Sequence, residues 1–172
     1  MARMPIRLYG DPVLRTRADE VDGVGEDLRR LAGDMVETMR DAEGVGLAAN
    51  QVGELRRIIV VDFEPVTGED RAEALVNPVI TEQAGEMTLQ EGCLSIPGVN
   101  EEIVRSARVK VDYLDPEGLP RTMEIEGYMS AVLQHEVDHL NGVLITDRIS
   151  AVRRGLIRGV LKRIAREAGN PV

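Results

Sequence analysis

The chain has 172 residues, of which 43% are hydrophobic and only 2% aromatic, so a core at this length has to be built from Val, Ile, Leu, Ala and Met. A formal net charge of −9 argues against a protein wrapped broadly on DNA. No apolar run approaches the ~20 residues needed to span a bilayer, and the first residues lack an apolar signal core, so a cytoplasmic protein with no membrane partner is expected.

Asp11-Pro12 caps a short helical turn, since Pro is tolerated at the first helical position. Residues 26–42 read as an amphipathic helix: Leu28, Leu31, Ala32, Met35, Val36 and Met39 recur at spacings of three and four, and Glu43-Gly44 ends the run. The segment Gly44-Val45-Gly46-Leu47-Ala48-Ala49-Asn50-Gln51-Val52-Gly53 is small and uncharged, without the Lys-Ser/Thr ending of a phosphate loop. Gly44 and Gly53 suit a helix end and a tight turn. Gln51, a neutral amide in apolar surroundings, needs hydrogen-bond partners if buried, and its NH₂ could serve an oxyanion.

Residues 57–63 read as a buried strand, short and β-branched. Residues 73–80 and 84–90 are weaker strand candidates. Residues 104–114 alternate, with Val109, Val111 and Tyr113 on one face and Arg108, Lys110 and Asp112 on the other. Asp115-Pro116-Glu117-Gly118 is a turn, because Pro presets φ and Gly accepts a positive one, and residues 121–125 return as the second arm of a hairpin. Helices follow at 127–141 and 150–168. Helix, strands, then two helices is the order of an α+β domain spanning residues 1–172.

The strongest local pattern is His135-Glu136-Val137-Asp138-His139 inside the apolar periodicity of Met129, Val132, Leu133 and Leu140. Positions four apart share one helix face, about 6 Å apart along the axis, so two imidazoles there can bind one cation, and Glu136 can approach a water on it. These are the only histidines in the chain. A catalytic site of this kind needs a third protein ligand and an open position. The lone Cys93, in Glu91-Gly92-Cys93-Leu94-Ser95, offers a thiolate; Glu91 or Glu86 would offer the carboxylate of a zincin-like protease, and spacing selects neither.

Taken together, Gly44–Gln51, Glu91–Ser95 and Gln134–His139 resemble, in order and separation, the three signature motifs of the peptide deformylases, and the resemblance runs from Leu8 to Arg148. It implies an α+β fold of antiparallel strands around a central metal-binding helix. It implies that Cys93, His135 and His139 hold one divalent ion: ferrous iron in the cell, with zinc, nickel or cobalt able to substitute. The implied reaction is hydrolysis of the formyl group from the N-terminal methionine of nascent polypeptides, with a metal-bound water as nucleophile and Glu136 as general base and acid. Gln51 and the Leu94 backbone N–H would then stabilise the oxyanion. Val45, Tyr128 and Val132 would line the methionine pocket, and the peptide would pair like an added strand with Val45, Gly46 and the Gly92 region. Arg105 would bridge to Glu91. Many relatives carry an Arg where this chain has Asn100, which bears on the peptide beyond its first residue.

The C-terminal segment carries Arg153, Arg154, Arg158, Lys162, Arg163 and Arg166 against one acid, Glu167, with Val152, Leu156, Val160 and Ile164 as an apolar stripe. Such a basic amphipathic helix either caps the acidic body or docks on an anionic partner. Some bacterial deformylases use a helix of this kind on the ribosome, and the resemblance extends that expectation here. Rival readings are a decayed relative that only binds, and an enzyme acting on a small formylated metabolite.

Overall fold

The computed structural model describes residues 3–171. Seven strands and five helices follow one another: α1 (Glu26–Asp41), β1 (Gly46–Ala48), β2 (Ile58–Asp62), α2 (Glu64–Thr67), β3 (Ala72–Ala84), β4 (Met87–Gly92), β5 (Asn100–Arg105), β6 (Arg108–Leu114), β7 (Pro120–Glu126), α3 (Tyr128–Leu140), α4 (Ile145–Arg148) and α5 (Ala151–Glu167). Short 3₁₀ turns lie at Pro12–Arg15, capped by the Asp11 side chain, and at Ala49–Val52. The strands form an antiparallel five-stranded sheet in the order β1-β2-β3-β6-β7 and a separate β4-β5 pair. This is the expected α+β architecture.

Burial explains the layers. Every residue of β2 is buried, and alternate side chains serve opposite faces. Ile59 and Val61 join Leu75, Val109, Val111 and Leu133 beneath α3. Ile58 and Val60 join Leu28, Leu31, Met35 and Met39 of α1 on the other face. The sheet is therefore packed between α1 and α3, and almost all of α3 is buried, including its polar residues. A helix that buries His135, Glu136, Asp138 and His139 has to satisfy them internally, and these contacts build the site.

Four expectations need correction. Residues 104–114 are not one strand: β5 and β6 belong to different sheets and break at Ser106-Ala107. There the Ser106 N–H donates to Gln134 Oε1 (3.0 Å), the Ser106 carbonyl accepts from Ser130 Oγ (2.9 Å) and Gln134 Nε2 (2.8 Å), and the Ala107 carbonyl accepts from the Gly127 N–H (2.8 Å). Side chains of a helix some 24 residues downstream thus hold the kink. Residues 73–80 and 84–90 are likewise split elsewhere, with β3 running through to Ala84 and the chain turning at Gly85, whose φ of +68° suits glycine. At the end of α1 the left-handed residue is Glu43 (φ +55°); Gly44 is needed for space, since a Cβ there would come within 2.8 Å of Leu94 Cδ1.

The fourth correction concerns α5. Val152 and Leu156 are 74% and 69% exposed, whereas Leu161, Ile164 and Ala165 are buried, with Ile157 and Val160 partly so. A four-residue repeat overruns a 3.6-residue turn by about 40° per step, so the stripe winds off the packed face. Gly155 and Gly159, open to space, each cost about 1 kcal/mol of helix propensity. Burial of Leu161 and Ile164, worth roughly 1.5–3 kcal/mol apiece, outweighs this and docks the helix by its second half.

Candidate active site

Three donor atoms meet at the floor of a cleft of about 400 Å³. Cys93 Sγ lies 3.3 Å from His139 Nε2, and His139 Nε2 lies 3.1 Å from His135 Nε2; all three fall within 4.8 Å of one another. Tetrahedral coordination at bond lengths of ~2.0–2.3 Å places ligand atoms roughly 3.5 Å apart, so the donor set fits one small cation. A thiolate with two imidazoles suits zinc, iron, nickel or cobalt. The carboxylate alternatives are set aside by placement: Glu86 is exposed between β3 and β4, and Glu91 is committed elsewhere.

That commitment orients the site. Glu91, on β4, accepts both Nε and an Nη of Arg105 (2.8 and 2.9 Å) and lies 3.0 Å from His135 Nδ1. The Nδ1 contact leaves His135 Nε2 free for the centre. The Arg105–Glu91 bridge expected from sequence is present, and Arg105 also donates to Asp138, which is held in turn by Arg148. Burial by itself would push the Glu91 carboxyl up, but the hydrogen bonds and charges of Arg105 and His135 outweigh it and hold it at about 2. Arg105 is 3% exposed. An Arg105→Leu variant leaves two buried carboxylates short of a partner and is expected to lose about 3 kcal/mol of stability in urea unfolding; a loss under about 1 kcal/mol would show that the bridge is replaceable.

Burial disfavours charge on both imidazoles. At His135, hydrogen bonds to Cys93 and Glu91 and the charge of Glu136 outweigh it and raise the pKa; at His139, burial and the charge of His135 lower it. Glu136 is 4% exposed, and burial pushes its carboxyl up to about 7. Its Oε2 has no hydrogen-bond partner among the described residues.

Gln51, 1% exposed, is pinned by its own motif. Its Oε1 accepts the Ala48 N–H at 2.8 Å, which directs Nε2 toward Ser95 Oγ (3.2 Å) and Cys93 Sγ (3.7 Å). Leu94 follows Cys93 in a turn closed by the Ile96 N–H on the Cys93 carbonyl (2.9 Å). Val45, Gly46, Gly92, Tyr128 and Val132 all line the cleft, with Gln51, Cys93, Leu94, His135 and Glu136; His139, 1% exposed, stands behind the lining. The cleft runs between two sheet edges, because among the described residues β1 pairs only with β2 and β4 only with β5. Asn100 lies in register with Gly92 and so near that a Cβ on Gly92 would come within 2.8 Å of its Oδ1.

The sequence reading missed four supports. Asn50 Nδ2 donates to the His139 carbonyl, Ser95 holds Gln51, and Asp138 and Arg148 extend the Arg105 network. Asn50, Ser95 and Asp138 sit inside the three motif segments, next to residues singled out for chemistry, so position was the available signal. Gly46 also has a role beyond backbone pairing. A Cβ there would overlap Glu136 Oε1 and come within 2.8 Å of Cγ and 2.9 Å of Cδ.

The sequence profile of the polypeptide deformylases matches residues 3–155. This chain belongs to that family. The peptide deformylase of Alkalilimnicola ehrlichii is 46% identical over 167 residues, covering 97% of this chain and 93% of that one. The crystal structure of peptide deformylase from Thermus thermophilus superimposes with a TM-score of 0.88 at 46% identity, covering 96% of this chain and 99% of that one. A Synechococcus elongatus peptide deformylase in complex with actinonin gives 0.84 at 38% identity, over 98% of this chain and 89% of that one. The family's hydrolytic deformylation is the activity of this chain, and the cleft above Cys93, His135 and His139 is the candidate site. In that setting Gly46→Ala is expected to retain metal while kcat falls by roughly a hundredfold, because a displacement near 1 Å of a reacting group costs that much. Metal analysis alongside initial rates checks both halves.

Proposed function

We propose that this chain removes the formyl group from the N-terminal methionine of nascent polypeptides, with Cys93, His135 and His139 holding one divalent ion, ferrous iron in the cell. The convergence of these three donors beside Glu136 and Gln51 carries the reading. When bound, the cation supplies Lewis-acid polarisation and acidifies water. Glu136 takes a proton from the attacking water and delivers it to the departing amine, a task suited to a carboxyl near 7. The Gln51 NH₂ and the Leu94 N–H donate to the oxyanion that develops on the formyl oxygen. The C–N bond breaks, leaving formate and a free amine. Val45, Tyr128 and Val132 receive the methionine side chain. The peptide backbone lies between the edges of β1 and β4, pairing with Val45, Gly46 and Gly92.

Formate release from formyl-Met-Ala-Ser by anaerobically purified, iron-loaded protein, against acetyl-Met-Ala-Ser, tests this. Formate from the first peptide with the second spared supports the reading, since a site closed around a formyl hydrogen has no room for a methyl. Equal turnover of both, or none of the formyl peptide, overturns it.

Among the described residues no helix is long and apolar enough to cross a membrane. Of the basic residues on α5 only Arg153 forms an ion pair within the described residues, with Glu101, and the other five are exposed, as are Val152 and Leu156. That surface supports ribosome docking through α5, and with it a cytoplasmic site of action.

A further inference from the structure

A second cavity, of about 420 Å³, lies on the face of α3 turned away from the donor atoms. Gln134, Val137, Asp138 and Asn141 form one wall, and three arginines from separate parts of the chain line it: Arg17 from the segment before α1, Arg57 at the start of β2, and Arg148 at the end of α4. Arg148 is committed to Asp138 through two nitrogens. Arg57 is not paired in this way. It is 7% exposed, and its Nη1 donates only to neutral acceptors, the Leu140 carbonyl (3.3 Å) and Asn141 Oδ1 (3.0 Å). Among the described residues no carboxylate forms an ion pair with Arg57 or with Arg17.

A desolvated guanidinium costs several kcal/mol unless it is paired. Here the cost is aggravated: burial and the neighbouring charge of Arg17 both pull Arg57 below its ordinary range, and Glu20, which opposes them, forms no ion pair with it. The lining carries Arg17, Arg57 and Arg148 against two carboxylates, Glu20 and Asp138; Asp138 is committed to Arg105 and Arg148, and Glu20 forms no ion pair with Arg57 or Arg17, so the cavity keeps a positive excess on a chain whose net charge is −9. The planar fork of a guanidinium matches the oxygens of a phosphate or carboxylate.

We propose that this cavity binds a small free oxyanion, a phosphate or a carboxylate, between the guanidinium groups of Arg57 and Arg17. The ligand supplies the negative charge that Arg57 lacks, and the NH₂ of Asn141, whose Oδ1 already accepts from Arg57, faces the same cavity. Because Arg148 and Asp138 share the wall, the ligand borders the network that runs through Arg105 and Glu91 to His135. The site stands independently of the reaction in the cleft.

The test is titration of the zinc-loaded full chain with inorganic phosphate and, separately, succinate, each against sodium chloride at matched ionic strength. The readout is the arginine Nε–H resonances by NMR. A saturable shift of the Arg57 signal with either anion, absent with chloride, is the expected result, and which anion saturates identifies the source. Arg17→Ala, an exposed substitution that leaves the fold intact, is expected to weaken binding about tenfold, the worth of one charge-assisted hydrogen bond. Arg57→Lys, which keeps the charge and loses the fork, is expected to weaken it further. Arg57 shifts no larger than with chloride, an unchanged affinity in Arg17→Ala, or perturbation confined to His135 and His139 would each overturn the proposal.

Discussion

Glu136→Ala is expected to bind metal as the parent does and to lose about a thousandfold in kcat, the scale of a positioned acid-base group. The side chain is next to His135 in sequence but contributes no donor atom to the Cys93, His135 and His139 cluster, so its removal leaves the ligand set intact. It lines the cleft, its carboxyl is lifted by burial to about 7, and Oε2 lacks a partner among the described residues. That last feature yields a second readout. A buried carboxyl without full hydrogen bonding destabilises the fold it sits in, so the alanine variant should melt no lower than the parent. Loss of turnover with stability held or raised is what a residue kept for chemistry shows. Thermal melts, metal content and kcat on one formyl peptide decide it. A kcat within tenfold of the parent would remove Glu136 from the mechanism, and a large drop in melting temperature would assign it to structure.

The sequence made the donor set legible because two different constraints coincide in α3. His135 and His139 are spaced for one helix face, and they lie within the apolar periodicity of Met129, Val132, Leu133 and Leu140, so burial was implied with the spacing. The amphipathic α1 was equally open to reading, since one face packs and the other is solvated. What failed were features fixed by partners distant in sequence. The alternation from residue 104 to 114 is real on both sides of Ser106-Ala107, and only Gln134 and Ser130 of α3 reveal that the chain changes sheets there. Likewise, the stripe Val152, Leu156, Val160 and Ile164 is periodic, but the neighbours of α5 cover only its second half. Cys93 fell between these cases. Its chemistry suggested a ligand, while its choice over Glu91 depended on Arg105 and His135 occupying that carboxylate.

Gln51→Leu is expected to lower kcat by a factor of about 10²–10³, with a smaller change in KM, because in the proposed mechanism the amide donates to charge that exists only in the transition state. Leucine is close to glutamine in volume. It removes two functions at once, however: the Nε2 donor aimed between Ser95 and Cys93, and the Oε1 acceptor that holds the Ala48 N–H at 2.8 Å. The second loss leaves a buried backbone donor unsatisfied and should cost about 1–3 kcal/mol of stability. Gln51→Glu separates the two. A carboxylate there still accepts from Ala48 but cannot donate to an oxyanion, and it places negative charge beside Cys93. If donation matters, the glutamate variant folds and remains at least as impaired in kcat as the leucine variant. If Gln51 serves only to fix the loop, glutamate restores kcat, and the effect of leucine lies in stability and KM. The split between kcat and KM in the pair therefore distinguishes a donor to the reacting oxygen from a strut beneath the cleft.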